Sequence, residues 1–316
     1  MISKTDSIVV AIIVTYNGEN WMDKCLSSLI KSEYPVEVIV VDNNSNDETV
    51  KIIKEKFHNT EIISLKKNVG FGMANNIGIK RALFKKANFI FLLNQDAWIE
   101  SNTIEKLLIT LKQNNSPSPI GIISPVHLNG TGNLFDKGFY RYLSKDFSRS
   151  FFSKLFLSNN SLDSFYPSNF INAAAWLINS ECLLNIGGFN PIFFHYGEDC
   201  NYVHRLQFLG YSIGFSPNAI IFHDRENSPE RSGKTWDSYY LHYLINACNI
   251  NEPLSKNFLK YSLIYLSEAF YNLFSGKFFD SKNYWFAFLK ILTSLIKVKK
   301  NRQMAKIKGA FLNTDS

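Results

Sequence analysis

Long apolar runs are missing from this chain of 316 residues. No stretch reaches the ~18–20 uninterrupted apolar residues of a membrane-spanning helix. The early run Ile8–Val14 ends in Thr15-Tyr16-Asn17, with no small-residue cleavage site after it. It reads as a buried strand and not as a signal peptide. Cysteine is scarce and scattered: Cys25, Cys182, Cys200 and Cys248 form no CxxC pair. That spacing argues against a zinc site or a disulfide framework and fits a reducing cytoplasm. Charged residues are only 19% of the chain and apolar ones 46%, which argues against disorder. No internal repeat is visible.

Excess charge is missing from most of the chain as well. Residues 1–250 hold 23 bases and 23 acids. The net charge of +7 comes from residues 251–316, with 11 Lys/Arg against 4 acids. A nucleic-acid binder would spread its charge over the folded face, so no nucleic acid is expected as a partner. A basic tail on a neutral domain points to an anionic surface such as a membrane.

What the chain does have is alternation. Ile8–Val14, Val36–Val41, Glu61–Leu65 and Phe89–Leu93 are short apolar runs. Between them, apolar residues recur at helical spacing, as in Trp21, Cys25, Leu26 and Leu29, then Ala74, Ile77 and Ala82. Ser45 and Glu48 have the spacing of a capping box for a helix that turns Val50, Ile53 and Phe57 inward. After Asp96 a helix carries Ile104, Leu107, Leu108 and Leu111. Buried strands alternating with helices predict a mostly parallel α/β sheet covered on both faces. From Asn129 to Asn169 the pattern dissolves, and short helices or a mobile lid are expected there. Ala173–Ile178 reads as a strand, Ser180–Ile186 as a helix, and Ile213–Phe215 and Ala219–Phe222 as two short strands. The expected division is an α/β domain over 1–235 and a basic, aromatic-rich helical extension over 236–316. There Trp285, Phe288, Leu289, Leu292, Leu295 and Ile296 form one apolar stripe, as in an interfacial amphipathic helix.

In open parallel sheets the ligand sits beyond the carboxyl ends of the strands. The polar residues lie there: Thr15, Tyr16 and Asn17; Asp42, Asn43 and Asn44; Asn68; Asn94 and Asp96. Asp42 could accept the imide N–H of a uracil or thymine ring, or cap the next turn. Gly70-x-Gly72 is not a dinucleotide fingerprint, because it follows the third strand and its third position is Asn75. A tight turn explains Gly70, while Asn75 and Asn76 could bond a sugar or the neighbouring loop. Asp96 at a strand tip could hold Mg²⁺ or Mn²⁺ with a second ligand, for which His223 is the candidate. Glu198-Asp199 follows an aromatic approach through Phe193, Phe194, His195 and Tyr196. Acids suit a helix first turn, yet one of this pair could serve as a general base.

Taken together, these segments resemble inverting family 2 glycosyltransferases of the GT-A fold, especially rhamnosyltransferase-like members. The resemblance is carried by Ile12-Ile13-Val14-Thr15-Tyr16-Asn17, Val40-Val41-Asp42-Asn43-Asn44-Ser45, Asn68-Val69-Gly70-Phe71-Gly72 with Asn75-Asn76-Ile77-Gly78, and Leu93-Asn94-Gln95-Asp96. Gly187-Gly188-Phe189-Asn190, Gly197-Glu198-Asp199, Arg205, Gly210-Tyr211 and His223 complete it, so that it spans roughly residues 8–224. The resemblance implies that Thr15, Tyr16, Asn17, Asp42, Asn44, Asn68, Gly70, Asn75, Asn94 and Asp96 bind a dTDP- or UDP-linked sugar. It implies Asp96 and His223 as ligands of Mg²⁺ or Mn²⁺, and Asp199 with Glu198 beside it as the catalytic base. The acceptor would be a glycan or a polyprenyl-diphosphate-linked sugar in surface polysaccharide synthesis. The enzyme would be cytoplasmic, peripheral at the inner membrane face through its C-terminal helices. Asn94 departs from the Asp-x-Asp of many members, as in the rhamnosyltransferase-like ones. Two other readings are a nucleotidyltransferase and an inactive nucleotide-sugar-binding protein. The first lacks a basic Gly-rich loop after its first strand, where Asn17-Gly18-Glu19 stands. The second is at odds with the retained Glu198-Asp199.

Overall fold

The computed structural model describes residues 7–113, 118–143, 148–157, 162–225 and 235–312. Its first half runs β1 (Val9–Thr15), α1 (Glu19–Ile30), β2 (Val36–Asp42), α2 (Thr49–Lys56), β3 (Glu61–Ser64), α3 (Phe71–Phe84), β4 (Phe89–Asn94), β5 (Ala97–Ile99) and α4 (Thr103–Gln113). Then follow β6 (Ile120–Asn129), α5 (Lys137–Leu143), α6 (Ser148–Leu157), β7 (Tyr166–Ser168), β8 (Ala175–Asn179), α7 (Ser180–Ile186), α8 (Glu198–Phe208) and β9 (Ser212–His223). Three helices end the chain: α9 (Trp236–Ala247), α10 (Leu254–Phe274) and α11 (Phe278–Met304).

One sheet holds the strands in the order β3-β2-β1-β4-β8-β6-β9-β5, with β7 also on β9. The β3-β2-β1-β4 block is parallel, and β8 runs antiparallel to β4. Side chains of a strand alternate between the two faces, and β1 shows why every residue in it is apolar or buried. Val10, Ile12 and Val14 enter a core beneath α3, α7 and α8. Val9, Ala11 and Ile13 enter the core beneath α1, α2 and α4. In α1 the buried residues Met22, Cys25, Leu26 and Leu29 follow the 3.6-residue period.

Two expectations are corrected. The capping box of Ser45 and Glu48 does not form: α2 begins at Thr49 without a side-chain cap, and Ser45 Oγ instead accepts the Asn17 N–H (3.0 Å). The two short strands near residue 213 and residue 219 are one strand, β9. A bulge joins its halves, since Ser216 pairs with Pro125 and Ile220 with Val126. That same bulge admits Pro125 into β6, a strand whose Gly121 and Pro125 disguise it in the sequence. In the irregular stretch 129–169 the described residues form α5, α6 and β7, while 144–147 and 158–161 lie outside the described residues.

The tail packs through a face of α11 other than the apolar stripe. The buried face of α11 mixes small, polar and branched side chains: Ser281, Asn283, Ala287, Ile291, Ser294 and Val298. Its small residues let α11 lie close against α9 and α10, where Tyr243, Tyr261 and Tyr265 fill the core. Leu289, Leu292 and Ile296 of the expected stripe stay exposed, and Trp285, Phe288 and Leu295 are half-buried. The chain then returns to the sheet body. Asn301 and Asn190 exchange amide hydrogen bonds (2.7 and 2.8 Å), and Arg302 donates to the carbonyls of Ala247, Asn249 and Glu252. Gly188 N–H donates to Ala310 (2.8 Å), and Leu312 joins the sheet core. Among the described residues, no helix is long and apolar enough to cross a membrane.

Candidate active site

The site begins where the parallel strands end. Thr15 pairs with Asp42 and Val14 with Asn94, so the tips of β1, β2 and β4 lie side by side. Asp42 is buried, and its Oδ1 accepts the Ser45 N–H (3.1 Å). Asn17 and Asn44 both adopt positive φ, 51° and 71°, which Asn tolerates better than most residues. Asn17 Oδ1 also accepts the Asn46 N–H (2.9 Å), tying the β1 tip to the β2 tip. Tyr16 is exposed at the rim.

Asn68 closes the glycine turn. Its Oδ1 accepts from Asn43 Nδ2 and from the Gly70 N–H, both at 2.9 Å, while Asn43 Oδ1 accepts the Val69 N–H. Gly70 has φ 85°, and a Cβ there would stand 2.1 Å from the Phe194 carbonyl oxygen. Only glycine lets this turn touch the segment that leads to Glu198. Asn75 is buried and donates to the Phe71 carbonyl (3.0 Å). Asn76 bonds the Phe189 backbone through both ends of its amide. Arg205 is wholly buried and donates to the Ile186 and Gly188 carbonyls. These three side chains hold the scaffold.

Beyond β4, Gln95 Oε1 accepts from the buried Thr15 hydroxyl (2.7 Å) and the Tyr16 N–H (2.9 Å). Asn94 is half-buried, with its N–H donated to Ala174. Asp96 Oδ1 lies 3.3 Å from His223 Nε2. Two strands make this meeting: β5 pairs with β9 so that Ala97 faces His223, and the Asp224 N–H bonds the Asp96 carbonyl (2.9 Å). Ligands at about 2.1 Å from an octahedral ion lie roughly 3 Å apart when adjacent. The Asp96–His223 spacing therefore fits a shared divalent cation. Behind His223 stand His127 and Asp136, whose ligand atoms with those of His223 all lie within 4.8 Å of one another.

Asp199 reaches the same mouth from α8. Its carboxylate is bonded by the backbone of Ala173. Ala173 lies just ahead of β8, where Ala175 pairs with Leu93 at the end of β4. Burial raises the Asp199 carboxyl above its usual range, although the Cys200 N–H (2.7 Å) pulls the other way. Burial, helped by the nearby Asp199 charge, pushes the Tyr142 phenol up to about 12. Glu198 is buried beside Asp199 in the first turn of α8, which Gly197 opens in the left-handed region. His195 packs on Tyr196, with ring centroids 3.8 Å apart.

Asp42, Asp96, His223 and Asp199 thus converge at one end of one sheet. Thr15, Asn68 and Asn75 support it with side chains already bonded to the protein. Sequence reading missed Gln95 as the lock on β1, Asn43 as the brace of the turn, and Asp136 behind His223. Asn43 and Gln95 sit inside motifs already quoted; Asp136 lies in the irregular stretch and carried no signal.

Residues 10–165 match the family described as Glycosyl transferase family 2. The chain is similar to the glycosyltransferase GlyA of Streptococcus pneumoniae, 22% identical over 81% of this chain and 37% of that protein. It is also similar to the N-acetylglucosaminyl-diphospho-decaprenol L-rhamnosyltransferase of Mycobacterium tuberculosis, 22% identical over 71% of this chain and 78% of that protein. The chain therefore spans little more than a third of the length of the pneumococcal relative. Its fold is shared by the mannosyltransferase PcManGT of Pyrobaculum calidifontis, solved with GDP-Man and Mn²⁺. That likeness has a TM-score of 0.53 at 18% identity and covers 94% of this chain and 76% of that one. The architecture is the GT-A type, and residues 10–165 carry the match to glycosyl transferase family 2.

Proposed function

We propose that this protein is an inverting glycosyltransferase that moves a sugar, with rhamnose as the leading candidate, from a dTDP- or UDP-linked donor to a glycan or polyprenyl-diphosphate-linked acceptor. The observation that carries the reading is the convergence of a strand-tip carboxylate paired with a histidine and a half-buried carboxyl of raised affinity for protons. The family match over residues 10–165 supports the reaction class, and the mycobacterial relative's name supports the choice of rhamnose and of a lipid-linked acceptor.

Tyr16, Asn17, Asp42 and Asn44 form the nucleoside end of the proposed site, with Thr15, Asn68, Gly70, Asn75 and Asn94 shaping it. Asp42 offers its second carboxylate oxygen to a base N–H. Asp96 and His223 would hold Mg²⁺ or Mn²⁺, which when bound offsets the charge of the departing diphosphate. Asp199 takes the proton of the acceptor hydroxyl as that oxygen attacks the anomeric carbon. The bond from the anomeric carbon to the phosphate oxygen breaks on the opposite side, and the nucleoside diphosphate leaves with the electron pair. A single displacement of this kind inverts the anomeric centre. A purified-protein donor panel scoring nucleoside diphosphate release tests the reading. No release with any dTDP- or UDP-sugar, in the presence of acceptor and Mn²⁺, would favour the inactive binding protein.

The C-terminal helices are the proposed membrane-facing part of a cytoplasmic, peripheral protein. Phe274, Phe278 and Phe279 crowd the α10–α11 turn and are exposed, with Lys277 and Lys282 among them. Apolar side chains ringed by lysine suit the interface of an anionic bilayer. The proposed units are 1–235 and 236–316, with residues 305–312 of the second docked on the first.

A further inference from the structure

We propose that Asp136 is a positioning residue for His223, holding the imidazole in the tautomer that presents Nε2 as a metal ligand. The inference rests on the reading of Asp96 and His223 as the cation site.

Asp136 is almost wholly buried at the start of α5. Its Oδ1 accepts the Phe139 N–H (2.8 Å), the N-cap bond of that helix. This pins the carboxylate and turns Oδ2 toward His223 Nδ1, 3.5 Å away, and toward Arg225 Nε, 3.3 Å away. Among the described residues the buried Nδ1 of His223 has no hydrogen-bond partner, and the Asp136 carboxylate faces it. The neighbouring His127 ring stands edge-on to it, 6.3 Å between centroids, and His127 Nε2 is spent on Ser124 Oγ (2.9 Å). Asp136 is therefore the acceptor in reach of the Nδ1 proton. The 3.5 Å contact is at the outer limit of a hydrogen bond. It needs only a few tenths of an ångström to close, and such bonds often tighten when a site is filled. With the proton on Nδ1, Nε2 keeps its lone pair, 3.3 Å from Asp96. A ligating histidine that donates its other nitrogen to a carboxylate is oriented and made more basic. The Arg225 guanidinium balances the buried charge of Asp136.

The rival account makes Asp136 a helix cap and nothing more. Asp136→Asn separates the two, because Asn caps as well as Asp. Its amide oxygen keeps the Phe139 bond, while its NH₂ meets His223 Nδ1 and draws the proton to Nε2. Two measurements on the full chain decide: Mn²⁺ affinity by paramagnetic resonance with the metal alone, and ¹⁵N spectra of the metal-free histidines, with His223 assigned by His223→Gln. The expected result is a wild-type Nδ1–H tautomer, its loss in Asp136→Asn, and Mn²⁺ affinity weakened about 10–100-fold. Unchanged tautomer and affinity in Asp136→Asn, with affinity lost in His223→Gln, would overturn the inference and leave the cation site standing. Unchanged affinity in His223→Gln would strike the cation site itself, and the inference with it.

Discussion

Gln95 Oε1 accepts the hydroxyl hydrogen of Thr15 at 2.7 Å, across 80 residues of sequence. The middle residue of Asn94-Gln95-Asp96 thus ties the β4 tip to the β1 tip, and the Tyr16 backbone is held by the same oxygen. Thr15 is completely buried, so it serves the site by fixing the backbone at Tyr16. Replacing Gln95 by Leu would leave a buried hydroxyl without its acceptor, at a cost of about 1–3 kcal/mol. The expected outcome is a lower unfolding midpoint in urea together with weaker nucleotide binding by calorimetry. Full stability and full binding in Gln95→Leu would show that the tie is incidental.

Asp199→Asn removes the proposed base while preserving shape. Transfer should fall about 10²–10⁴-fold, with donor binding retained. Equal loss of transfer and donor binding would mark Asp199 as structural.

The raised affinity of Asp199 for its proton also has a stability consequence. A carboxyl whose folded value lies above its unfolded value favours the fold while protonated. That contribution is complete below the unfolded value of ~4 and is lost as pH rises through the folded value. Wild type should therefore lose stability relative to Asp199→Asn between pH ~4 and neutrality. Parallel melting-temperature curves for the two proteins over that range would contradict the raised value.

Asp96→Ala should abolish the gain in nucleoside diphosphate affinity produced by Mn²⁺ while leaving the metal-free affinity nearly unchanged. Titrations with UDP and dTDP, with and without Mn²⁺, measure both quantities. The same Mn²⁺ enhancement in the variant as in wild type would remove Asp96 from the cation site.

Gly70→Ala combines strain at φ 85° with a Cβ 2.1 Å from the Phe194 carbonyl oxygen. The backbone term alone is about 1–3 kcal/mol. Thermal unfolding should move down by several degrees, and transfer should drop because the segment leading to Asp199 must shift. An unaltered melting temperature would mean that the turn relaxes freely.

Membrane contact is best tested at the hairpin tip. Deleting residues 281–316 would also remove Leu312 from the sheet core and the Arg302 hydrogen bonds. Phe274, Phe278 and Phe279 are exposed, so their joint change to Ser should spare the fold. It should reduce sedimentation with phosphatidylglycerol vesicles severalfold. Equal sedimentation of wild type and variant would reject the tip as the contact.

Much of the first half was legible because its information is local. β1, β2 and β4 are apolar on both faces, so their burial shows in any seven-residue window, and polar strand ends such as Asp42 and Asp96 stand out against that background. β6 was hidden because Pro125 contradicts strand chemistry until a bulge accommodates it. The packing face of α11 did not stand out because that helix is apolar on more than one side. Only contact with α9 and α10 selects the face that carries Ser281, Ala287 and Ser294, since small side chains permit the closest approach of the helices.

The sequence alone determined the alternating strands and helices, the polar strand tips and the family to which they point, since each depends on neighbours within a turn or a strand. Tertiary structure decided that His223 meets Asp96, that Asp136 stands behind it, and that Asn301 and Arg302 fasten the tail to the body. Those encounters join residues far apart in the chain, through strand pairings and helix contacts that no local pattern encodes.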